Sequence, residues 1–282
     1  MDTIIKTSRK EGIILTVGNY KGGAGKTSNS TLIGYTLAKM GVKVLVVDLD
    51  PQTNATKSLL LTKSALEKDQ IMTINKTIMS GVANGSFTDL PVNIMPNYDL
   101  LPSYPDFGDF SKYVYKHANT EIEEVSVLKP LLDDLRPKYD LIILDIPPMS
   151  REVTANATIA SDYTLISFQT QERSLTGAEN YINDLLNYKD KYNLDIDVVG
   201  ILPVLQNKKG TVDNAMLNMA KDIFGESLVF DSVIPHMERI KRFDITGITD
   251  RDRFDKKVMQ TYRTATDEFI ERINVLEENK NE

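Results

Sequence analysis

The residues best suited to chemistry cluster near the N-terminus, in "GNYKGGAGKTSNS" from Gly18 to Ser30. Gly22, Gly23 and Gly25 let a backbone curl until successive N–H groups point inward, which suits a phosphate. Lys26 can reach terminal phosphate oxygens, and the Thr27 hydroxyl is placed to ligate Mg²⁺. The usual spelling of such a loop, G-x-x-x-x-G-K-[ST], requires glycine at position 20, where this chain has Tyr20. A second cation, Lys21, follows it. Nucleotide hydrolysis also needs carboxylates for the metal and the attacking water. "VLVVDLDPQ" offers Asp48 and Asp50, and "LIILDIPP" offers Asp145.

Elements of matching period surround these residues. Gly12–Asn19, Lys43–Asp50, Asp140–Pro147, Tyr163–Gln169, Asp197–Leu205 and Ser227–Pro235 are short β-branched runs. Several are continuously apolar, as in strands buried on both faces of a parallel sheet. Helical patterns lie between them, over Ser28–Met40, Glu121–Leu135, Gly177–Lys189, Val212–Phe224 and Lys256–Leu276. The alternation implies βαβ units in a three-layer α/β/α sandwich with a mainly parallel sheet. Its ligand crevice lies at the C-terminal strand ends, which is where the three acids fall. A single domain over 1–282 is expected, with a short N-terminal extension at 1–11 and a C-terminal helix and polar tail at 256–282. Residues 62–111, with Pro91, Pro96, Pro102 and Pro105, read as an irregular elaboration. It holds a helix near Ser64–Ser80 and a short strand at "VNIMP".

Composition narrows the classes. With 41% hydrophobic and 26% charged residues the chain can build a substantial core, so disorder is disfavoured. The absence of cysteine removes disulfides, thiolate catalysis and cysteine-held metal. His117 and His236 are the two histidines, far apart, which argues against a histidine metal site. The first twenty residues lack the apolar core of a signal peptide, so a cytoplasmic protein is expected. A net charge of −7 speaks against a globally basic nucleic-acid binder but leaves a local patch open.

The motifs together resemble the ParA/MinD family of deviant Walker ATPases, P-loop NTPases, and most closely its ParA-type DNA-partitioning branch. K-G-G-x-G-K-[ST] stands as Lys21 to Thr27, "DLDPQTNAT" as Asp48 to Thr56, and "YDLIILDIPP" as Tyr139 to Pro148. The segments "ASDYTLISFQTQERSLTGAEN" and "GILPVLQNKKG" are similar to later family segments. The resemblance implies ATP and Mg²⁺ as cofactors. It implies that Gly22, Gly23, Ala24, Gly25, Lys26, Thr27 and Ser28 cradle phosphate, and that Lys21 reaches the nucleotide of a second protomer. Asp50 would place the hydrolytic water and, with Thr27 and Asp145, serve the metal. Asp48 has a less defined role near the switch region, and Asn207 and Pro235 correspond to the adenine side. An extra cation has a physical use, because hydrolysis spreads charge over the γ-phosphoryl oxygens.

The branch further implies an ATP-bound homodimer, nonspecific DNA, nucleoid association and a centromere-binding (ParB-type) partner. Between Met237 and Arg263 eight basic residues face five acidic ones, inside an acidic chain. Arg239, Lys241, Arg242, Lys256 and Lys257 are the DNA candidates, with Lys208 and Lys209 second. The tail carries Phe269, Ile270, Ile273 and Leu276 among mainly acidic neighbours, which disfavours an anionic membrane. A MinD-like spatial regulator and a nucleotide-dependent DNA-binding adaptor with negligible turnover are the rival readings.

Overall fold

The computed structural model describes residues 4–280 apart from 8, 10, 68–75 and 207–209. Strand β1 (Ile13–Gly18) leads through a loop into α1 (Lys26–Lys39), and β2 (Val44–Asp48) leads into α2 (Asn54–Glu67). Next come α3 (Ile78–Asn84), β3 (Val92–Met95), β4 (Tyr98–Leu101), α4 (Phe110–His117), α5 (Glu121–Val125) and α6 (Leu128–Asp133). β5 (Leu141–Asp145), α7 (Arg151–Ala160), β6 (Tyr163–Gln169), α8 (Glu172–Tyr192) and β7 (Asp197–Gln206) continue the alternation. The described chain closes with α9 (Thr211–Phe224), β8 (Ile234–Pro235), α10 (Glu238–Thr246) and α11 (Arg253–Asn279).

One eight-stranded sheet runs in the order β3-β4-β2-β5-β1-β6-β7-β8. All pairings are parallel except β3–β4. Every residue of β1, β2 and β5 is buried, so both faces need cover. Alternation sends Leu15, Val46 and Ile143 to one face, against Leu32, Leu37, Tyr262 and Phe269 of α1 and α11. Ile14, Leu45 and Ile142 go to the other, with Phe110, Val153 and Leu175 of α4, α7 and α8. Burying each such side chain contributes roughly 1.5–3 kcal/mol. The three-layer α/β/α architecture is thus the observed one.

Four local expectations change. The helix over Glu121–Leu135 is broken into α5 and α6, because Pro130 cannot pair with the carbonyl of Ser126 and sits instead in a new first turn. The helix near Ser64–Ser80 divides: α2 ends at Glu67, α3 starts at Ile78, and 68–75 lie outside the described residues. Within 62–111, β3 and β4 form an antiparallel hairpin that extends the main sheet, turning at Asn97 with φ 64. Of Ser227–Pro235 only Ile234–Pro235 is strand, because the N–H groups of Asp231 and Ser232 bond to the Glu268 carboxylate instead of a ladder.

Candidate nucleotide site

The β1 strand ends at Gly18, and the next seven residues return to the start of α1. Gly25 closes this loop with φ 88, a conformation open to glycine, and an added Cβ would sit 3.0 Å from Val204. The N-terminus of α1 therefore opens into a cleft of about 590 Å³, a volume typical of small-ligand sites. One wall is the loop, Gly22 to Asn29; another is Asp50, Gln52, Asn54 and Lys57; a third is Val204, Ile234, His236, Met237, Ile240, Lys241 and Asp244.

Lys26 is buried at 6% exposure, and its ammonium donates to the carbonyls of Asn19 (3.0 Å) and Lys21 (3.3 Å). Among the described residues it forms no ion pair. Burial pushes its pKa below the usual lysine value, and the charges of Asp145 and Asp50 offset only part of that. A buried cation held by carbonyls at a helix N-terminus fits an incoming anion.

The acids divide their work. Asp145 accepts from Thr27 Oγ1 at 2.8 Å and from Ser30 Oγ at 3.0 Å. Asp48 accepts from the N–H of Asp50 at 3.0 Å and from both the N–H and Oγ1 of Thr56, at 2.8 and 2.7 Å. Asp50 accepts from Gln52 N–H at 2.8 Å and faces the cleft. Burial raises both Asp48 and Asp145 above the usual carboxylate range, and the charge of Asp145 adds to the rise at Asp48. Among the described residues no group of three acidic or histidine side chains is placed to hold a metal ion by itself. One or two carboxylates, a threonine hydroxyl and substrate phosphates are the donor set that suits Mg²⁺. Thr27, Asp145 and Asp50 fit that set.

A sequence family described as an AAA domain matches residues 12–198. The sporulation initiation inhibitor protein Soj of Bacillus subtilis (strain 168) is 29% identical over 230 residues, covering 81% of this chain and 86% of Soj. The chain belongs to the ParA/MinD family of deviant Walker ATPases. Chromosome partitioning protein ParA of Myxococcus xanthus is another relative of this ParA/MinD member, 27% identical over 235 residues, with 81% and 77% of the two chains covered. Among solved structures, cobyrinic acid a,c-diamide synthase from Mycobacterium smegmatis, with bound ATP analog and magnesium, matches with a TM-score of 0.74. It is 24% identical, covers 91% of this chain and 93% of its own, and shares the fold.

Not every residue singled out in the sequence lines the cleft. Lys21 does not line the cleft; its ammonium rests on the carbonyl of Gly22 at 2.9 Å. Asn207, Lys208 and Lys209 lie outside the described residues. Pro235 is half-buried beside the cleft, while its neighbours Ile234, His236 and Met237 line it. Lys241, Arg242, Lys256 and Lys257 are exposed, but Arg239 is engaged inside the protein by Asp252 and the fully buried Asp255. Lys241 also pairs with Glu238 at 3.0 Å. Sequence reading missed Ser30, although it stands one helical turn beyond Lys26. It also missed Gln52, Asn54, Lys57 and Asp244. The last comes from α10, and nothing local marks it as a neighbour of the loop.

Proposed function

We propose that this chain is an ATP-dependent DNA-partitioning ATPase in which ATP joins two protomers and hydrolysis separates them. The observation that carries the reading is the buried, unpaired Lys26 at the start of α1, beside Thr27 bonded to Asp145. ATP phosphates would accept from the loop N–H groups and from Lys26, releasing that ammonium from its carbonyl partners. Thr27, Asp145 and Asp50 would hold Mg²⁺, which when bound neutralises charge on the phosphates. Asp50 keeps an oxygen free of loop contacts and is the group to orient the attacking water. Lys21, parked on Gly22, would turn outward to the γ-phosphate of the partner protomer and stabilise the developing charge. The names of Soj and ParA support partition as the process served.

In this reading the dimer binds nonspecific DNA through Arg242, Lys256 and Lys257, and a ParB-type protein stimulates turnover. Two linked patches bind far more strongly than one, so affinity follows the nucleotide state. The tail does not support a membrane-bound regulator, because Phe269 and Ile273 are fully buried against the body. Among the described residues no helix is long and apolar enough to cross a membrane.

The test is Lys21→Ala. It should keep ATP binding while losing ATP-dependent dimerisation by light scattering, phosphate release, or both. A variant indistinguishable from wild type in both assays would return Lys21 to an ordinary surface lysine. DNA affinity should be highest with ATP, and equal affinity in the ATP, ADP and nucleotide-free states would sink the gated model.

A further inference from the structure

The deviant part of the loop, Asn19–Tyr20–Lys21, rests on α8, while Lys26 on the cleft side holds the carbonyls of Asn19 and Lys21. Four residues of that helix meet it: Ser174, Gly177, Tyr181 and Asp184. Their spacing of three, four and three puts them on one helical face. Asn19 is fully buried, and its amide donates to the carbonyls of Ser167 (2.8 Å) and Ser174 (3.2 Å). Its carbonyl oxygen accepts from the Lys21 N–H at 2.8 Å, so that backbone donor faces α8 and not the phosphates. Tyr20 lays its ring edge-on to Tyr181 with centroids 5.4 Å apart, and its hydroxyl donates to Asp184 at 2.5 Å.

Gly177 is the point of closest approach. A Cβ there would lie 2.5 Å from Asn19 Oδ1, 3.1 Å from the Lys21 nitrogen and 3.3 Å from the Lys21 Cβ. The missing side chain lets the Lys21 backbone lie directly on the helix. Any alanine at this point must push Asn19 off Lys21 or lift the loop.

We infer that α8 is the positioning element for Lys21. Gly177 sets the height of the Lys21 backbone, and the Tyr20–Asp184 hydrogen bond sets the tilt of the loop from which the ammonium reaches a second protomer. Gly177, Tyr20 and Asp184 are positioning residues, acting through Lys21. The inference rests on the shared-lysine reading above. It also gives Tyr20 a purpose: glycine at that position would remove the contacts with Tyr181 and Asp184 of α8.

The experiment compares Gly177→Ala, Tyr20→Phe and Lys21→Ala, singly and with each of the first two added to the third. Misplacing a reacting group by about 1 Å costs up to about a hundredfold. Gly177→Ala should therefore lower kcat for ATP by about ten- to a hundredfold and weaken ATP-dependent dimerisation. Nucleotide affinity of the monomer should stay within about threefold, since uniform binding is untouched. Tyr20→Phe removes only a hydroxyl, so it folds wherever the wild type folds, and should give the same split more weakly. On the Lys21→Ala background neither change should weaken dimerisation further, as double-mutant cycles require of residues acting through one group. Two results would overturn the inference: an unchanged kcat in both single variants, or effects that persist undiminished once Lys21 is gone. If Lys21→Ala is itself silent, the shared-lysine reading falls and the inference falls with it. If Lys21→Ala is impaired and the α8 variants are not, only the inference falls.

Discussion

Replacing Lys26 with methionine should separate the two consequences of burying a cation whose desolvation Asp145 and Asp50 offset only in part. The ammonium is 6% exposed and bonds to two carbonyls, and burial drives its pKa below 10.5. A lysine with a depressed folded pKa makes the folded state less favourable at neutral pH, and that cost fades as pH rises toward 10.5. The cleft is open, so water can satisfy the two freed carbonyls. Nucleotide-free Lys26→Met should thus melt at or above the wild-type temperature. With about 2–4 °C per kcal/mol for a chain of this size, a gain of a few degrees is expected near neutral pH. The difference should shrink as the buffer approaches pH 10. Binding moves the other way. A charged hydrogen bond to phosphate is worth about 1.5–3 kcal/mol. Without it, ATP should bind roughly 10- to 150-fold more weakly. Differential scanning fluorimetry with and without ATP reads both effects, because ligand stabilisation follows occupancy. A nucleotide-free Lys26→Met protein that melts many degrees lower would show the ammonium to be net stabilising. ATP affinity within threefold of wild type would show that Lys26 does not face the phosphates. Either result refutes the reasoning.

Three further variants test the frame around the site and the surface beside it. Arg239→Ala should lower the melting temperature by several degrees, because it strips the buried Asp255 of its cation; Lys256→Ala with Lys257→Ala should leave melting unchanged. That double variant should instead flatten the salt dependence of DNA binding, by about 0.9 in slope for each phosphate no longer neutralised. At the opposite end of the sheet, Asp162 bonds to Arg9 and Arg136 at 2.6 Å each and to Ile14 N–H at 2.8 Å. Burial alone would raise its pKa, but Arg136, Ile14 and Arg9 together hold it below the ordinary 3.8. Its contribution is therefore complete above that value and lost as pH falls through the lowered one. Asp162→Asn should cost about 3 kcal/mol in urea melts at neutral pH, with the gap closing in acid and ATP turnover at 25 °C unchanged. A gap constant from neutral pH into strong acid would refute the ionic account.

The sheet and the phosphate loop were legible because both are written locally. Continuous apolar runs mark β1, β2 and β5, and an anion cradle needs glycines, a lysine and a hydroxyl within one short string. What sequence could not show is what the fold brings in from a distance. His236, Met237 and Asp244 reach the cleft because α10 docks on α2. That docking turns on Gly247, with φ 76, where a Cβ would lie 2.4 Å from the Thr62 nitrogen. Arg239 shows the converse limit: as a letter in a basic segment it looks like a DNA contact, yet its partners are internal. The α5–α6 break was readable from Pro130, but apolar spacing outweighed it. The β3–β4 hairpin was hidden by prolines that mark its turn as easily as a loop.

The three strand-end acids also acquire distinct meanings only in the folded chain. Register pairs Asp48 with Asp145 on neighbouring parallel strands, and both residues are fully buried. Burial raises the pKa of both; the charge of Asp145 adds to the rise at Asp48 and that of Asp50 to the rise at Asp145, an arrangement that would be discarded if stability were the sole demand. Asp48 is bound into the loop it leads: it holds Asp50 and Thr56, and Thr56 in turn accepts from Ser103 at 2.9 Å. It therefore ties down the path between β2 and α2. Asp145, bonded only to hydroxyls, can accept a metal-bound water, and Asp50 stays open to the cleft. The unfavourable charge that remains at these acids is negative, and Mg²⁺ is the part of the nucleotide complex that would offset it.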